Sequence, residues 1–368
     1  MSNYTKATNF ASKDSLLTGN PLKIVKGTEI DNEFNAIATA VGTKFDTAAL
    51  ASPGPIGATT PAAISGTTIS GTTGTFSGDV QMASQNGGQL AGLRNRIING
   101  GMQILQRSLP SVTGAIQFGA DRWQGVVNGG TGISGSFVRS PSTSYASGYY
   151  FGFGSASWTN GIVQFFQRIE ANNVQDLSGK TITVSLRVFQ DTGTARSFVI
   201  QMYKPNAKDN WTGQTFIESI SAGSVASGSV TPIFATFTLG ATDAVNGLGV
   251  YIIDSASNTV ASKNYFIGDV QLEVGPVATP FEQRPYGMEL ALCQRYYEET
   301  AFDIPVSGNT AVGMWAVEKR ATPTLSNVYS VGSGGSVATD PNAPRKAIRA
   351  GSYATVSASV KVIGVSEL

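Results

Sequence analysis

The sequence predicts a mainly β protein: an N-terminal arm and short trimeric helix, a Gly/Ser/Thr-rich β shaft, and a C-terminal antiparallel β-sandwich of jelly-roll type. Three observations carry this expectation. From Arg94 to Gln283, runs of alternating polar and apolar residues recur at a spacing of roughly ten residues, split by Gly, Asn, Asp and Pro. Glycine makes up 43 of the 368 residues and charged residues only 13%, against usual levels of about 7% and about 25%. The chain is therefore rich in turns and poor in ion-paired surface helices. One apolar stripe at helical spacing near the N-terminus has nothing close in sequence to pack against. The length exceeds the roughly 100–200 residues of one domain, and the expected units are 1–45, 46–90, 91–300 and 301–368.

Residues 1–26 are polar and broken by Gly19, Asn20 and Pro21, with a short apolar stretch at Leu22, Ile24 and Val25; they read as an extended arm. Thr28 then stands where it can cap a helix over 28–45, in which Ile30, Phe34, Ile37 and Val41 recur at spacings of four, three and four. Asp31 and Glu33 sit near the positive end of its dipole. The stripe can be buried against copies of itself or, through a fold-back, against the chain's own later domain; the first is expected. Across 46–90 charge nearly vanishes, and Ile64-Ser65-Gly66-Thr67-Thr68 is repeated at once as Ile69-Ser70-Gly71-Thr72-Thr73. A period of five turns a strand's face over at each copy, so no single neighbouring sheet can cover it. The alternatives are a flexible linker and a strand ordered only when wrapped with other chains. The regularly placed isoleucines and Phe76 favour the second, a shaft.

Strands are expected at Ile162–Ile169, Thr181–Phe189, Ser197–Tyr203, Ile233–Leu239, Leu248–Ile253 and Tyr265–Val274, with Phe165, Phe166, Phe189, Phe198, Phe234 and Phe237 mostly in the core. A helix over Gly287–Glu299 would put Met288, Leu292 and Tyr296 on one face. Residues 300–368 return to strands, among them Val312–Val317 and Val356–Val365, which either complete the sandwich or make a small tip domain.

Composition narrows function. With 25 Lys+Arg against 24 Asp+Glu, the net charge of +1 provides no field to draw in nucleic acid or an anionic membrane. Histidine is absent, which removes the commonest general base and transition-metal ligand. The single cysteine, Cys293, makes no internal disulfide and reads as a small buried hydrophobe. No signal peptide and no run of 18 or so apolar residues is present, so neither membrane insertion nor general secretion is expected. Neither a cofactor nor a metal site is expected. Gly129–Gly132 and Gly332–Gly335 lack the Lys and Ser/Thr ending of a phosphate loop and read as hairpin turns.

A sugar has apolar faces ringed by hydroxyls, so a glycan site needs an aromatic plate beside short polar groups. Tyr203, Lys204, Asn206, Asp209, Asn210 and Trp211 supply both within one loop-like stretch. The alternative is that Trp211 only covers a sandwich end. Tyr149, Tyr150 and Trp158 form a second set. Trp123 reads as core, and Asp121 and Arg122 as a structural ion pair or turn contact. A polysaccharide-cleaving enzyme would need two carboxylates roughly 5–9.5 Å apart across a cleft. Glu170, Asp176, Asp191, Asp209 and Glu218 are scattered at strand ends and read as solvated loop residues, so no catalytic residues are assigned.

Two stretches resemble parts of tailed-phage tail fibres. Phe10-Ala11-Ser12-Lys13-Asp14-Ser15-Leu16 with Ile24-Val25-Lys26-Gly27-Thr28-Glu29-Ile30-Asp31-Asn32-Glu33-Phe34-Asn35-Ala36-Ile37 resembles the virion-attachment arm and helix of short-tailed phage fibres. Arg96-Ile97-Ile98-Asn99-Gly100-Gly101-Met102, Ala120-Asp121-Arg122-Trp123, Leu177-Ser178-Gly179-Lys180, Asp269-Val270-Gln271-Leu272-Glu273-Val274-Gly275 and Thr279-Pro280-Phe281-Glu282-Gln283-Arg284-Pro285-Tyr286-Gly287, running on through Glu289 to Tyr297, are similar to the β-sandwich module of phage fibres. Ile56–Ala63 resembles their Gly/Thr/Ala-rich joints. The resemblance implies a homotrimer made in the host cytoplasm, anchored by residues 1–45 to the virion tail or an adaptor, and meeting a host polysaccharide or receptor through the sandwich. A head-decorating or connector fibre is the alternative within that class.

Overall fold

The computed structural model describes residues 4–42, 93–304, 311–330, 336–351 and 358–368. The expected shaft with its Ile64–Thr73 repeat, and the Gly332–Gly335 turn, lie outside the described residues. The chain divides into two compact units, Met1–Asp79 and Val80–Leu368.

In the first unit the arm is not extended, contrary to expectation. Residues 4–26 carry α1 (Phe10–Asp14) and a 3-10 turn at Pro21–Lys23, and fold onto α2 (Gly27–Gly42). The Lys13 ammonium pairs with Glu29 at 2.8 Å and donates to the carbonyls of Leu22 and Ile24. Glu33 accepts from the amides of Ala7 and Thr8, each at 2.9 Å. A polar stretch without regular structure must satisfy its amides somewhere, and here carboxylates of α2 do so. Helix α2 also starts one residue early: the Lys26 amide donates to Glu29 Oε2 at 2.9 Å, so Glu29, three residues in, closes the end instead of Thr28. The Lys13 ammonium and that amide hold the Glu29 carboxyl below its ordinary range. The stripe exists as read, and among the described residues Ile30, Phe34, Ile37 and Val41 are exposed by 41, 64, 38 and 62%.

In the second unit ten strands, β1 (Gln117–Phe118), β2 (Gln124–Asn128), β3 (Thr131–Pro141), β4 (Tyr149–Glu170), β5 (Thr181–Gln190), β6 (Arg196–Ala207), β7 (Asn210–Val225), β8 (Thr231–Thr238), β9 (Gly247–Asp254) and β10 (Asn258–Val274), pair antiparallel. The 22-residue β4 belongs to two layers. Up to Gly161 it pairs with β3 and β10, and β10 continues the layer through β5 to β8. From Ile162 it pairs with β2 and β9, and that layer runs on through β6 to β7. The handover needs a glycine: a Cβ on Gly161 would lie 2.4 Å from Val127 Cγ1 and 2.6 Å from Trp158 Cδ1. At the far edges β7 lies against β8, which makes the two layers a nearly closed sandwich.

Alternate residues of each strand enter one core: Ile182, Val184, Leu186 and Val188 of β5 cluster with Phe198, Ile200 and Met202 of β6 and Leu248, Val250 and Ile252 of β9. Four of the six phenylalanines expected to be mostly core are buried. Phe165, Phe198 and Phe237 are in this core; Phe166, adjacent to Phe165 and so on the opposite face, joins a separate cluster. Phe189 is half-buried and stacks on Phe266, while Phe234 is exposed because its neighbours Ile233 and Ala235 take the core positions.

Residues 93–104 have no regular structure, yet much of the segment is buried, so side-chain amides replace a strand partner. Gln167 pairs with both the amide and the carbonyl of Ile98, at 2.9 and 2.7 Å. Asn95 serves Val270 O, Leu272 N and Ile97 N. Asn99, at φ +56°, serves Ile104 N, Ile104 O and Asp121 O, and its carbonyl takes the Trp123 indole N–H. The polar residues of β10 hold the returning chain: Glu273 accepts from Thr279, Gln271 from the Glu282 amide, and Glu282 in turn from the amides of Arg94 and Asn95. Trp123 is core, as expected. Asp121 and Arg122 do not pair with each other: Asp121 meets Arg107 at 3.3 Å, while Arg122 pairs with Glu367 and lies 3.6 Å over the Tyr296 ring.

The late helix is shorter than expected. After a four-residue turn α3 (Ala171–Val174), α4 spans Tyr286–Gln294, and the chain enters a strand at Tyr297. Its buried residues are Glu289 and Cys293, not a Met288–Leu292–Tyr296 face; Met288 is exposed, and Glu289 is drawn inward by Arg284 and the Asn99 amide. Burial raises the Cys293 thiol well above its ordinary pKa. Six further strands follow: β11 (Tyr297–Ile304), β12 (Ala311–Met314), β13 (Thr324–Ser330), β14 (Ser336–Thr339), β15 (Ala347–Gly351) and β16 (Ala358–Val365). They make two three-stranded sheets, β11-β16-β13 and β12-β15-β14. Among the described residues no helix is long and apolar enough to cross a membrane.

Candidate glycan-binding face

The six residues singled out in the sequence do not form one loop, and Lys204 is taken up by an ion pair with Asp243 at 2.7 Å. They lie on the β6–β7 hairpin, whose turn is Lys208–Asp209 with Asp209 at φ +55°. Three of them serve the hairpin and its surroundings. Asp209 Oδ1 accepts from the Ala171 amide at 2.7 Å, Asn210 Oδ1 accepts from the amide and hydroxyl of Thr212, and Asn206 Oδ1 accepts from the Thr215 hydroxyl at 2.8 Å. Tyr203 and Trp211 remain, and the structure brings both to the outer face of the β1-β2-β4-β9-β6-β7 layer.

On that face the register aligns side chains across four strands. Phe166 of β4 is opposite Tyr251 of β9, Tyr251 opposite Gln201 of β6, and Tyr203 opposite Phe216 of β7. The Phe166 and Tyr251 rings stack at 4.5 Å and 7°; Tyr203 lies 4.7 Å from Tyr251 and meets Phe216 edge-on at 5.5 Å. Trp211 closes one end, lying over Gly249, where a Cβ would come within 3.0 Å of its ring. It is 9% exposed, its indole N–H has no acceptor, and the Arg168 guanidinium lies 5.3 Å from its ring centre. The alternative reading of Trp211 as a cover is thus correct in kind, but it covers the sheet face. The accessible plate is Tyr203 with Phe216, which is 50% exposed.

Amides surround the plate. The Tyr203 hydroxyl donates to Gln201 Oε1 and the Tyr251 hydroxyl to Gln214 Oε1, both at 2.9 Å. Each glutamine keeps its NH2 for another acceptor. Burial, with Tyr251 nearby, raises the Tyr203 pKa, so its hydroxyl stays protonated in neutral solution. Phe216, Tyr251, Phe166 and the glutamines were not singled out in the sequence. A signal for them exists: Gln164-x-Phe166, Gln201-x-Tyr203 and Gln214-x-Phe216 repeat a glutamine two residues before an aromatic on three strands, which puts both on one face.

The second aromatic set is not brought together. Trp158 is core, with its indole on Asn258; Tyr149 lies against Arg139; Tyr150 packs on Phe266 at 4.3 Å. Of the carboxylates read as solvated, Asp176 and Glu218 are exposed and Asp191 and Asp209 half-buried; Glu170 is the exception. Glu170 is buried and pairs with Arg295 at 3.0 Å, Asp176 pairs with Arg96 at 2.8 Å, and Asp191 accepts from the amide and side chain of Asn264. Glu218 is exposed on β7.

No protein-family model and no curated protein matches the chain. Among solved structures, a xylan-binding domain of carbohydrate-binding family 22 is similar at 12% identity and a TM-score of 0.31, over 46% of this chain and 96% of that one. A Clostridium thermocellum xylanase carrying such a module with its catalytic module matches at 12% identity and 0.30, and this chain spans only 26% of its length. The enzymatically active domain of tailspike protein 4 from bacteriophage CBA120 matches at 10% identity and 0.31, over 49% of this chain and 21% of that one. TM-scores this low decide neither the fold nor the ligand.

Proposed function

We propose that the chain is the subunit of a homotrimeric tail fibre of a tailed-phage virion, anchored to the tail through residues 1–45, and that it binds a host-surface glycan on the outer sandwich face without cleaving it. The observation that carries the glycan reading is the Tyr203–Phe216 plate ringed by glutamine amides. It pairs an apolar surface for a sugar's C–H face with donors and acceptors for its hydroxyls. The non-enzymatic part is supported by the carboxylates Glu170, Asp176 and Asp191, each already held by a structural partner.

Binding of the full-length protein to purified host polysaccharide tests the site. Tyr203→Ala with Phe216→Ala is expected to weaken it roughly 10- to 100-fold, the cost of losing one or two central aromatic contacts. Unchanged affinity would remove the face from consideration, and new reducing ends in the same incubation would identify an enzyme.

Assembly is supported by the exposed stripe of α2, because four large apolar side chains on one helix face favour burial against identical copies. Light scattering of the full-length protein is expected to give about 115 kDa, three times 38.3 kDa, and Phe34→Asp to shift it towards 38 kDa. A wild-type monomer would overturn the trimer.

A further inference from the structure

Away from the aromatic plate, a cavity of about 450 Å³ opens between the 99–107 segment, the start of β4 and the entry to α4, lined by Gln103, Leu105, Arg139, Tyr149, Arg284 and Tyr286. Its volume is in the range of small-ligand sites, about 300–1,000 Å³. We propose that this cavity is a second glycan subsite that takes a sugar carrying a carboxylate, a uronic acid residue.

The charge of the lining is the first support. Arg139 enters no ion pair among the described residues. Its Nε donates to Met102 O at 2.9 Å and one Nη to Gln103 O, and its guanidinium lies 3.7 Å over the Tyr149 ring. The backbone is bent to make this seat, with Met102 in the left-handed region at φ +55°. The remaining Nη of Arg139 has no acceptor among the described residues. A fixed, planar guanidinium held on one side by carbonyls and on one face by an aromatic ring is suited to a carboxylate on its open side.

Arg284 adds a second, independent observation. Its side chain is only 5% exposed; it donates to Ile97 O and Asn95 O and pairs with Glu289 at 3.1 Å, yet its Nε has no acceptor. Glu289, which also accepts from the Asn99 amide, pairs with Arg284, and Glu282 nearby accepts from the Arg94 and Asn95 amides; the guanidinium of the lining with no ion pair among the described residues is Arg139. One positive charge is therefore left over in the lining. Tyr149 and Tyr286, the latter 61% exposed, supply ring surface beside it, and among the described residues neither hydroxyl is hydrogen-bonded. Two guanidinium groups, two tyrosines and the Gln103 amide match a ring with hydroxyls and one negative charge better than a bare anion, which has no use for the aromatic walls.

The inference shares with the proposed function only the class of partner, and its test separates the two. Saturation-transfer NMR on the full-length protein would compare methyl β-D-glucuronoside with methyl β-D-glucoside, which lacks the carboxylate, with inorganic phosphate as competitor. The glucuronoside is expected to bind at least tenfold more tightly, to resist equimolar phosphate, and to lose its advantage in Arg139→Gln. Tyr286→Ala, at an exposed position where folding is not at stake, is expected to weaken it as well. Tyr203→Ala with Phe216→Ala is expected to leave it unchanged, so failure of the aromatic plate would not count against this cavity. Equal or absent binding of the two sugars, displacement by equimolar phosphate, or an unaltered preference in both Arg139→Gln and Tyr286→Ala would overturn the proposal.

Discussion

Replacing Lys319 with methionine is expected to destabilise the second unit by about 3–5 kcal/mol, the usual cost of leaving one member of a buried ion pair alone. Lys319 is fully buried and Glu298 nearly so; the ammonium meets the carboxylate at 2.5 Å and also donates to Gln294 O, and Glu298 accepts from the Ala316 amide. Without the lysine, the carboxylate keeps one amide and loses its counter-charge in a site that water does not reach. Burial pulls the Lys319 pKa below its ordinary value, against the opposing pull of Glu298. The folded state therefore releases this proton more readily than the unfolded state. Its contribution to stability is present in full above the unfolded pKa and is lost as pH falls through the lowered folded value. Chemical denaturation of Lys319→Met should show the loss, and adding Glu298→Leu should recover most of it, since an apolar pair of similar volume replaces a buried ion pair at little cost. A single variant as stable as wild type would mean that water reaches the pair.

Asn99→Ala is expected to cost about 3–6 kcal/mol. Its side chain answers three buried backbone groups, at Ile104 N, Ile104 O and Asp121 O. Ile104 O keeps the Asp121 amide at 3.4 Å, so two groups, Ile104 N and Asp121 O, are left unpaired at roughly 1–3 kcal/mol each. The left-handed φ of +56° adds to this, because asparagine tolerates that region and alanine does not. Asn99→Gly separates the two contributions: it relieves the backbone and still removes the amide. If hydrogen bonding dominates, glycine will be nearly as damaging as alanine in thermal or denaturant unfolding; recovery of most of the stability by glycine would assign the effect to the backbone.

The sandwich was legible because its strands alternate cleanly. Thr181–Phe189 became β5, Leu248–Ile253 became β9, and the hydrophobic period of two placed Ile182, Val184, Leu186 and Val188 in the core. The segment 93–104 was not legible as buried structure. What orders it is a set of side-chain amides on Asn95, Asn99 and Gln167 bonded across long stretches of chain, and no local pattern reports such bonds. The arm failed for the same reason, since Glu29 and Glu33 of α2 act on it from outside its own sequence pattern. For the binding face, proximity in sequence misled. Asn206, Asp209 and Asn210 are close to Trp211 along the chain because a hairpin turns there, whereas Tyr203, Tyr251, Phe166 and Phe216 converge through pairing of β4, β9, β6 and β7.

The double membership of β4 also bears on how the protein is made. Its first half finds β3 just upstream, but its other partner, β10, leaves the ribosome only after roughly 100 further residues, at about 5–20 residues per second some 5–20 s later. During that interval a long apolar strand has one edge unpaired, and on a polysome neighbouring nascent copies present the same edge. Codon changes that alter translation speed across 171–257 are therefore expected to change soluble yield without changing a single amino acid.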